Sequence, residues 1–161
     1  MTFTNVHRDI ERHIKESDGV EKRKDGFLIY HGYDAALEHV VDEYLQAKAY
    51  EPLIKFFRGW NWEVGDHDFL RLLTDRLLAD GEWNHLERLW NGVINKRRKL
   101  YREMMRIREE DPKAIPQRQC DDAKALLVWS LERLRDLARE LGRDEDVEGL
   151  ERRIKRLGNR E

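Results

Sequence analysis

The sequence predicts an all-α protein, and three observations lead to this fold class. Apolar residues recur at helical spacing along most of the chain. Only three prolines occur in 161 residues, so positions that break helices are few. Charged residues make up 40% of the chain, as 31 basic and 33 acidic side chains, and such a mixture is typical of solvated helix faces. We expect antiparallel helix pairs, stacked as a short α-solenoid or packed as an irregular helical bundle.

Residues 1–33 are expected to form one helix followed by a loop or a small hairpin. Apolar residues at helical spacing predict the helix over residues 3–16. The turn signal Lys24-Asp25-Gly26 then precedes the short apolar run from Phe27 to Tyr30, which favours one small β-hairpin near residues 20–31.

Residues 34–110 are expected to hold the helical core of the protein. Caps, turn residues and apolar stripes divide this stretch into four helices, of which the last is the longest. The signals in chain order are Asp34 as a cap, Pro52 in a first turn, Asp66 as a cap, Gly81 as a stop, and a long helix from about Glu82 to Glu110.

The rest of the chain is expected to form a connector and a helical hairpin. Pro112 and Pro116 lie within the predicted connector, residues 111–120. The hairpin, residues 121–158, would begin at Asp121 or Asp122, and Gly142 would separate its two helices. The whole chain, residues 1–161, is expected to form one helical domain.

Two stretches of the core can be aligned at a constant offset. Tyr50 aligns with Trp83, because 83 − 50 = 33, and at the same offset Leu53 aligns with Leu86. A weaker third copy places Val147 on Trp83, at an offset of 147 − 83 = 64. A period of 33 to 34 residues is about the length of one helix–turn–helix unit in an α-solenoid.

Over about residues 34–94 the sequence resembles tetratricopeptide-like helical-repeat proteins. The resemblance implies stacked helix pairs and the binding of peptides or protein segments. The small residues that this family uses for close helix packing are mostly absent, as is the proline at the end of its repeat, so no binding residue is transferred from it. The alternative is a helical bundle in which helix-start chemistry alone produced two similar turns.

The residues give little support for catalysis. Ser17 lies in a polar linker, Ser130 lies within a helix pattern, and Cys120 has no assignable histidine partner. Histidines near carboxylates keep a metal-dependent enzyme open as an alternative, with His39, His67 or His85 as ligands. The leading expectation is no catalytic residue, no cofactor and no metal.

The helix over residues 96–108 carries a strong local positive charge. Seven basic residues against Glu103 alone give 7 − 1 = +6, although the whole chain has a net charge of −2. Arg97 falls on the apolar stripe of this helix, where a core residue is expected. Because a buried unpaired arginine is costly, Arg97 either pairs with a carboxylate across the helix or faces a groove.

Five tryptophans give the chain further candidate anchors for a partner. Trp90 and Trp129 lie on core-like helix positions and are expected to be buried. Trp62 lies in a polar turn between Asn61 and Glu63, and is the best candidate for an exposed anchor.

These observations favour a non-enzymatic protein-interaction module, such as an adaptor, a scaffold, a chaperone or an inhibitor of the kind represented by bacterial toxin-immunity proteins. The expected partner is a protein with an acidic surface, and a nucleic-acid binder using helix 96–108 is the alternative. The single cysteine suits a reducing cytoplasm, and no apolar segment predicts secretion or a membrane span. The candidate partner-binding residues are Trp62, Arg97, Arg98, Tyr101, Arg102, Tyr30 and His31.

Overall fold

A computed structural model of the chain describes residues 1–58, 60, 62 and 68–159. In these residues 74% of the chain is helical, in seven helices and one antiparallel two-stranded hairpin, so the predicted all-α fold with a small hairpin is confirmed. The elements are α1 Val6–Glu16, β1 Val20–Lys22, β2 Leu28–Tyr30, α2 Tyr33–Gln46, α3 Tyr50–Phe57, α4 Asp68–Ala79, α5 Trp83–Glu110, α6 Gln117–Glu140 and α7 Asp144–Gly158.

The chain divides into two compact units, residues 1–60 and residues 61–161. The boundary falls inside the stretch 34–110 that was predicted to be one helical core. Each unit has its own buried apolar residues. Among the described residues, no helix is long and apolar enough to span a bilayer.

In the first unit, α1 packs against both α2 and α3. Their buried stripes include Ile10, Val40 and Phe57, each 0% exposed. The hairpin pairs Val20 with Tyr30 and Lys22 with Leu28, within the stretch 20–31 where a hairpin was predicted.

Several predicted helix starts are displaced, each for a local reason. Helix α1 begins at Val6 rather than Phe3, because Phe3 has a φ of 56° and the Asn5 side chain caps the helix by accepting the Arg8 N–H. Helix α2 begins at Tyr33, one residue before the expected cap Asp34, after Gly32 in the left-handed region. The expected cap Asp66 lies outside the described residues.

The predicted connector 111–120 is four residues too long. Helix α6 begins at Gln117 rather than at Asp121 or Asp122, directly after Pro116, whose ψ of 141° is extended. Cys120 is 1% exposed and continues the apolar stripe of α6 toward its start, which explains why the first turn is helical.

The sequence self-similarity corresponds to a repeated turn between helices. Lys48 and Gly81, 33 residues apart, have φ values of 55° and 68°, and the residues after them share almost the same dihedral angles. In both turns the residue with positive φ, Lys48 or Gly81, donates its N–H to the carbonyl three residues earlier. The next residue, Ala49 or Glu82, donates its N–H to the carbonyl five residues earlier. The two stretches are equivalent only in this turn, because the helices that follow it differ in length: α3 has 8 residues and α5 has 28.

A third turn of the same type joins α6 to α7. Gly142 has a φ of 68°, and its neighbour Arg143 donates its N–H five residues back to Ala138. This turn aligns with Gly81 at an offset of 142 − 81 = 61 rather than 64. The sequence alignment of the third copy was therefore wrong by three residues. Because three residues are close to one helical turn, the apolar residues of the two copies still coincide approximately in the shifted alignment. The resemblance to tetratricopeptide-like proteins stays a prediction.

A buried carboxylate holds α1 against α2. Asp9 is 2% exposed and accepts hydrogen bonds from the Tyr44 hydroxyl and, at 3.3 Å, from the Thr2 hydroxyl. Burial raises the pKa of Asp9, but the hydrogen bonds from Tyr44 and Thr2 outweigh burial and leave that pKa below its usual 3.8. Burial and the Asp9 carboxylate raise the pKa of Tyr44, so its hydroxyl stays protonated and donates.

Replacing Tyr44 with phenylalanine is expected to lower the free energy of unfolding at pH 7 by about 1.5 to 3 kcal/mol, because a hydrogen bond to a buried charge is lost. In the native protein the contribution of Asp9 is present above pH 3.8 and disappears as the pH falls through its lower folded pKa. Without the Tyr44 hydroxyl that loss should move to higher pH. Urea unfolding across the acid range measures both effects.

The matched control is Tyr33→Phe, which removes the same atom from a side chain that is 38% exposed. Its stability should stay within about 0.5 kcal/mol of the native value. Equal losses in the two variants would show that the bond to Asp9 does not stabilise the first unit.

Candidate functional site

The second unit is built around α6, which packs against α5 on one side and α7 on another. Helix α4 also packs against α5. A buried hydrogen bond joins these two, from the Trp90 indole N–H to the Thr74 hydroxyl at 3.0 Å. Trp90 is 2% exposed, which confirms its predicted place in the core.

Two of the predicted contact residues are buried inside this unit. Arg97 and Trp62 are each 1% exposed, so the prediction that Trp62 is an exposed anchor is wrong. The Arg97 Nε donates to the backbone carbonyl of Trp62 at 2.8 Å, and a terminal nitrogen of Arg97 donates to the Ser130 hydroxyl. The arginine therefore connects the chain segment before α4 to α5 and α6, which is a structural role.

Trp129 was predicted to be buried, and this prediction is also wrong, since the side chain is 43% exposed. The Arg97 guanidinium lies 5.8 Å from the centre of the Trp129 ring, and the ring of Trp90 lies 5.9 Å away. Trp129 therefore lies at the margin of the core, where its indole packs on the guanidinium of the buried Arg97.

A groove rimmed by arginines lies where α5 and α7 flank α6. Its walls border an open cavity of about 130 Å³. Helix α5 contributes Arg98 and Arg102, which lie one turn apart, and α7 contributes Arg153 and Arg156. The apolar floor and wall consist of Ile94, Leu127, Leu131 and Leu157.

The floor of this groove is formed by side chains of the buried core. Ile94, Leu127 and Leu131 are at most 2% exposed, which fixes their positions by packing. The rim arginines lie on the same helix faces, because Arg98 follows Ile94 by four residues and Arg153 precedes Leu157 by four. The site is thus positioned by rigid helices rather than by loops.

None of the four rim arginines forms an ion pair with a carboxylate in the described part of the chain. Arg98 donates to the side-chain carbonyl of Asn95 at 2.7 Å, which carries no charge. Burial lowers the pKa of Arg153, and the positive charges of Arg98 and Arg156 lower it further. The groove therefore concentrates positive charge that no carboxylate among the described residues pairs with directly.

Other arginines on the same helix have partners of a kind that the groove arginines lack within the described ranges. Arg106 forms ion pairs with Glu103 and, at 3.0 Å, with Glu110. Arg108 donates to the carbonyls of Pro112 and Ile115 and so holds the connector. Within the basic stretch 96–108, Arg106 and Arg108 are therefore held by acceptors of the protein itself, whereas Arg98 and Arg102 can bind an anionic ligand.

The remaining predicted contact residues lie elsewhere. Tyr101 is half-buried and lies beside Arg102, facing a second, shallow depression on α5. Tyr30 and His31 belong to the first unit, where both are exposed and the His31 Nε2 lies 2.8 Å from a Glu21 carboxylate oxygen. Of the seven candidates, Arg98 and Arg102 line the groove.

Arg153 and Arg156 were not among the predicted contact residues. Helix α7 was interpreted from its apolar residues alone, although residues 152–156 hold four basic side chains around Ile154. That density was a usable signal, similar to the one at 96–99. Only the packing of α5 and α7 on α6 shows that the two basic stretches share one groove.

An acidic cavity of about 210 Å³ adjoins the groove at Arg153. Glu87 and Asp146 line it, together with Glu145. Burial raises the pKa of Glu87, and the charge of Asp146 and a hydrogen bond to that carboxyl raise it further, against the opposing effect of Arg143. The two cavities give neighbouring parts of this surface opposite charge.

The histidines considered as metal ligands have other neighbours. The His39 ring stacks on His13 at 4.4 Å, and the His85 Nδ1 lies 3.1 Å from a Glu82 oxygen. His67 lies outside the described residues. Within the ranges that the structure describes, no three or more histidine, cysteine or acidic side chains are grouped to hold a metal ion.

Comparison of the chain with protein-family models, curated proteins and solved structures finds no match. The fold and the groove therefore define the class of this protein: it is a helical protein with a groove rimmed by arginines.

Proposed function

We propose that the chain is a non-enzymatic protein-interaction module that binds an acidic segment of a partner protein in the arginine groove. The observation that carries this proposal is the set of four rim arginines without carboxylate partners among the described residues, around an open cavity with an apolar floor. Guanidinium groups form bidentate hydrogen bonds to carboxylates, which makes an acidic protein surface the matching ligand.

The apolar floor favours a protein partner over a nucleic acid. Proteins that bind single strands stack bases on aromatic side chains, whereas this floor consists of leucine and isoleucine. The net charge of −2 also gives the chain little general attraction for a polyanion. Aliphatic side chains of a partner segment fit such a floor, because their burial is favourable without stacking.

An adaptor, a scaffold, a chaperone and an inhibitor such as a bacterial toxin-immunity protein would all use a site of this kind. The lone thiol of Cys120, 1% exposed, suits a protein of the reducing cytoplasm. The exposed hairpin, with Tyr30 and His31, is proposed as a second contact surface for the partner.

The test is a fluorescence anisotropy titration of the full chain with a labelled peptide of glutamates and leucines. A peptide with lysines in place of the glutamates is the control, and a labelled DNA duplex, titrated separately, represents the nucleic-acid alternative. The proposal expects the acidic peptide to bind more tightly than either. Tighter binding of the duplex at the same salt concentration, or no binding of the acidic peptide, would overturn it.

A further inference from the structure

The groove combines charge with a pocket, and the two features together restrict its ligand further. A cluster of arginines on a flat surface would accept any polyanion. Here the arginines form two pairs, Arg98 with Arg102 on α5 and Arg153 with Arg156 on α7, and the cavity lies between the pairs. A ligand that contacts both pairs must cross the apolar floor.

The size of the cavity limits what enters it. Its volume is about 130 Å³, close to the engineered apolar cavity of about 150 Å³ that holds one benzene molecule. One leucine, isoleucine or methionine side chain therefore fits this cavity. Ile94, Leu127 and Leu131 would cover that side chain from below, and Leu157 from the side.

The spacing within each pair matches carboxylates on neighbouring ligand residues. Residues three or four apart on a helix have Cβ atoms about 5 to 6 Å apart. Alternate residues of an extended peptide lie about 6.6 Å apart, so acidic residues can meet both arginines of a pair. The long arginine side chains accommodate the remaining difference.

We infer that the groove recognises a partner segment in which one apolar anchor residue is flanked on both sides by acidic residues. This inference rests on the proposed function and adds that the cavity selects the anchor. The carboxylates would pair with the rim arginines, and the anchor would enter the cavity. Charge alone would then account for only part of the affinity.

The experiment compares two labelled peptides of equal length and charge, one with leucine and one with serine between its glutamates, by anisotropy with the full chain. The leucine peptide is expected to bind about 10- to 100-fold more tightly, as burial of one leucine implies. Equal binding of the two peptides would overturn the inference and leave the proposed function intact. Binding of neither would overturn the proposed function itself.

Two matched variants test whether the anchor enters this cavity. Leu157→Trp fills the cavity from its wall, and should remove the preference for leucine while the serine peptide binds as before. Leu72→Trp makes the same change at a leucine on α4 that is 44% exposed and does not line the groove, so the preference should persist. A preference that survives Leu157→Trp in a variant with native thermal unfolding would place the anchor elsewhere and overturn the inference.

Discussion

Replacing Arg97 with methionine is expected to lower the free energy of unfolding by about 2 to 4 kcal/mol. The variant keeps an unbranched side chain of similar length but removes the donors to the Trp62 carbonyl and the Ser130 hydroxyl. Loss of a buried hydrogen bond from a charged donor costs about 1.5 to 3 kcal/mol, and loss of the contact with Trp129 adds to this. Denaturant unfolding followed by tryptophan fluorescence measures the change.

The adjacent residue supplies the control. Arg98 lies on the rim, where the Asn95 side chain is its only hydrogen-bond partner among the described residues, and removal of its charge relieves repulsion with Arg153. Arg98→Met should therefore stay within about 0.5 kcal/mol of the native stability. Native-like stability of Arg97→Met would contradict the burial of this arginine and its bond to Trp62.

Reversing the charge of Arg98 and Arg102 together to glutamate is expected to weaken binding of the acidic peptide by at least about 100-fold. Each arginine supplies charge-assisted hydrogen bonds worth about 1.5 to 3 kcal/mol, and the new carboxylates repel the ligand. The fold should persist, because both side chains lie at the rim and the new carboxylates can pair with Arg153 or Arg156. Anisotropy with the glutamate–leucine peptide measures the loss.

Arg8→Glu with Arg12→Glu is the matched control, because it changes the net charge by the same amount at two exposed positions on α1. It should alter the affinity only slightly, through screened long-range attraction. A similar loss in both double variants would mean that net charge, rather than the groove, determines binding. Reversal at Arg97 cannot serve here, because this side chain is 1% exposed and a buried carboxylate in its place would destabilise the unit.

The helices were predictable because their signals are local. Apolar spacing and the Gly81 stop fixed α5, which begins one residue after the predicted Glu82 and ends at Glu110 as expected. The predicted start of α6 was wrong because the residue at its cap is Pro116, which offers no side-chain hydrogen bond. Asp121 is a more typical capping residue and was preferred for that reason.

The site was predictable only in part, because its parts come from distant stretches of the chain. The apolar stripe correctly indicated that Arg97 occupies a core position, but it could not identify the backbone carbonyl 35 residues away and the hydroxyl 33 residues away to which this arginine donates. Helical periodicity likewise cannot show that Arg153 faces Arg98 across α6. That requires the packing of three helices.

We propose that the groove on α5, α6 and α7 binds acidic protein segments. Two-dimensional NMR of the arginine side-chain Nε–H groups during titration with the glutamate–leucine peptide tests this proposal most directly. We expect saturable shifts for Arg98, Arg102, Arg153 and Arg156, with the signals of Arg8 and Arg12 unchanged. Saturable binding that leaves those four signals in place would contradict it.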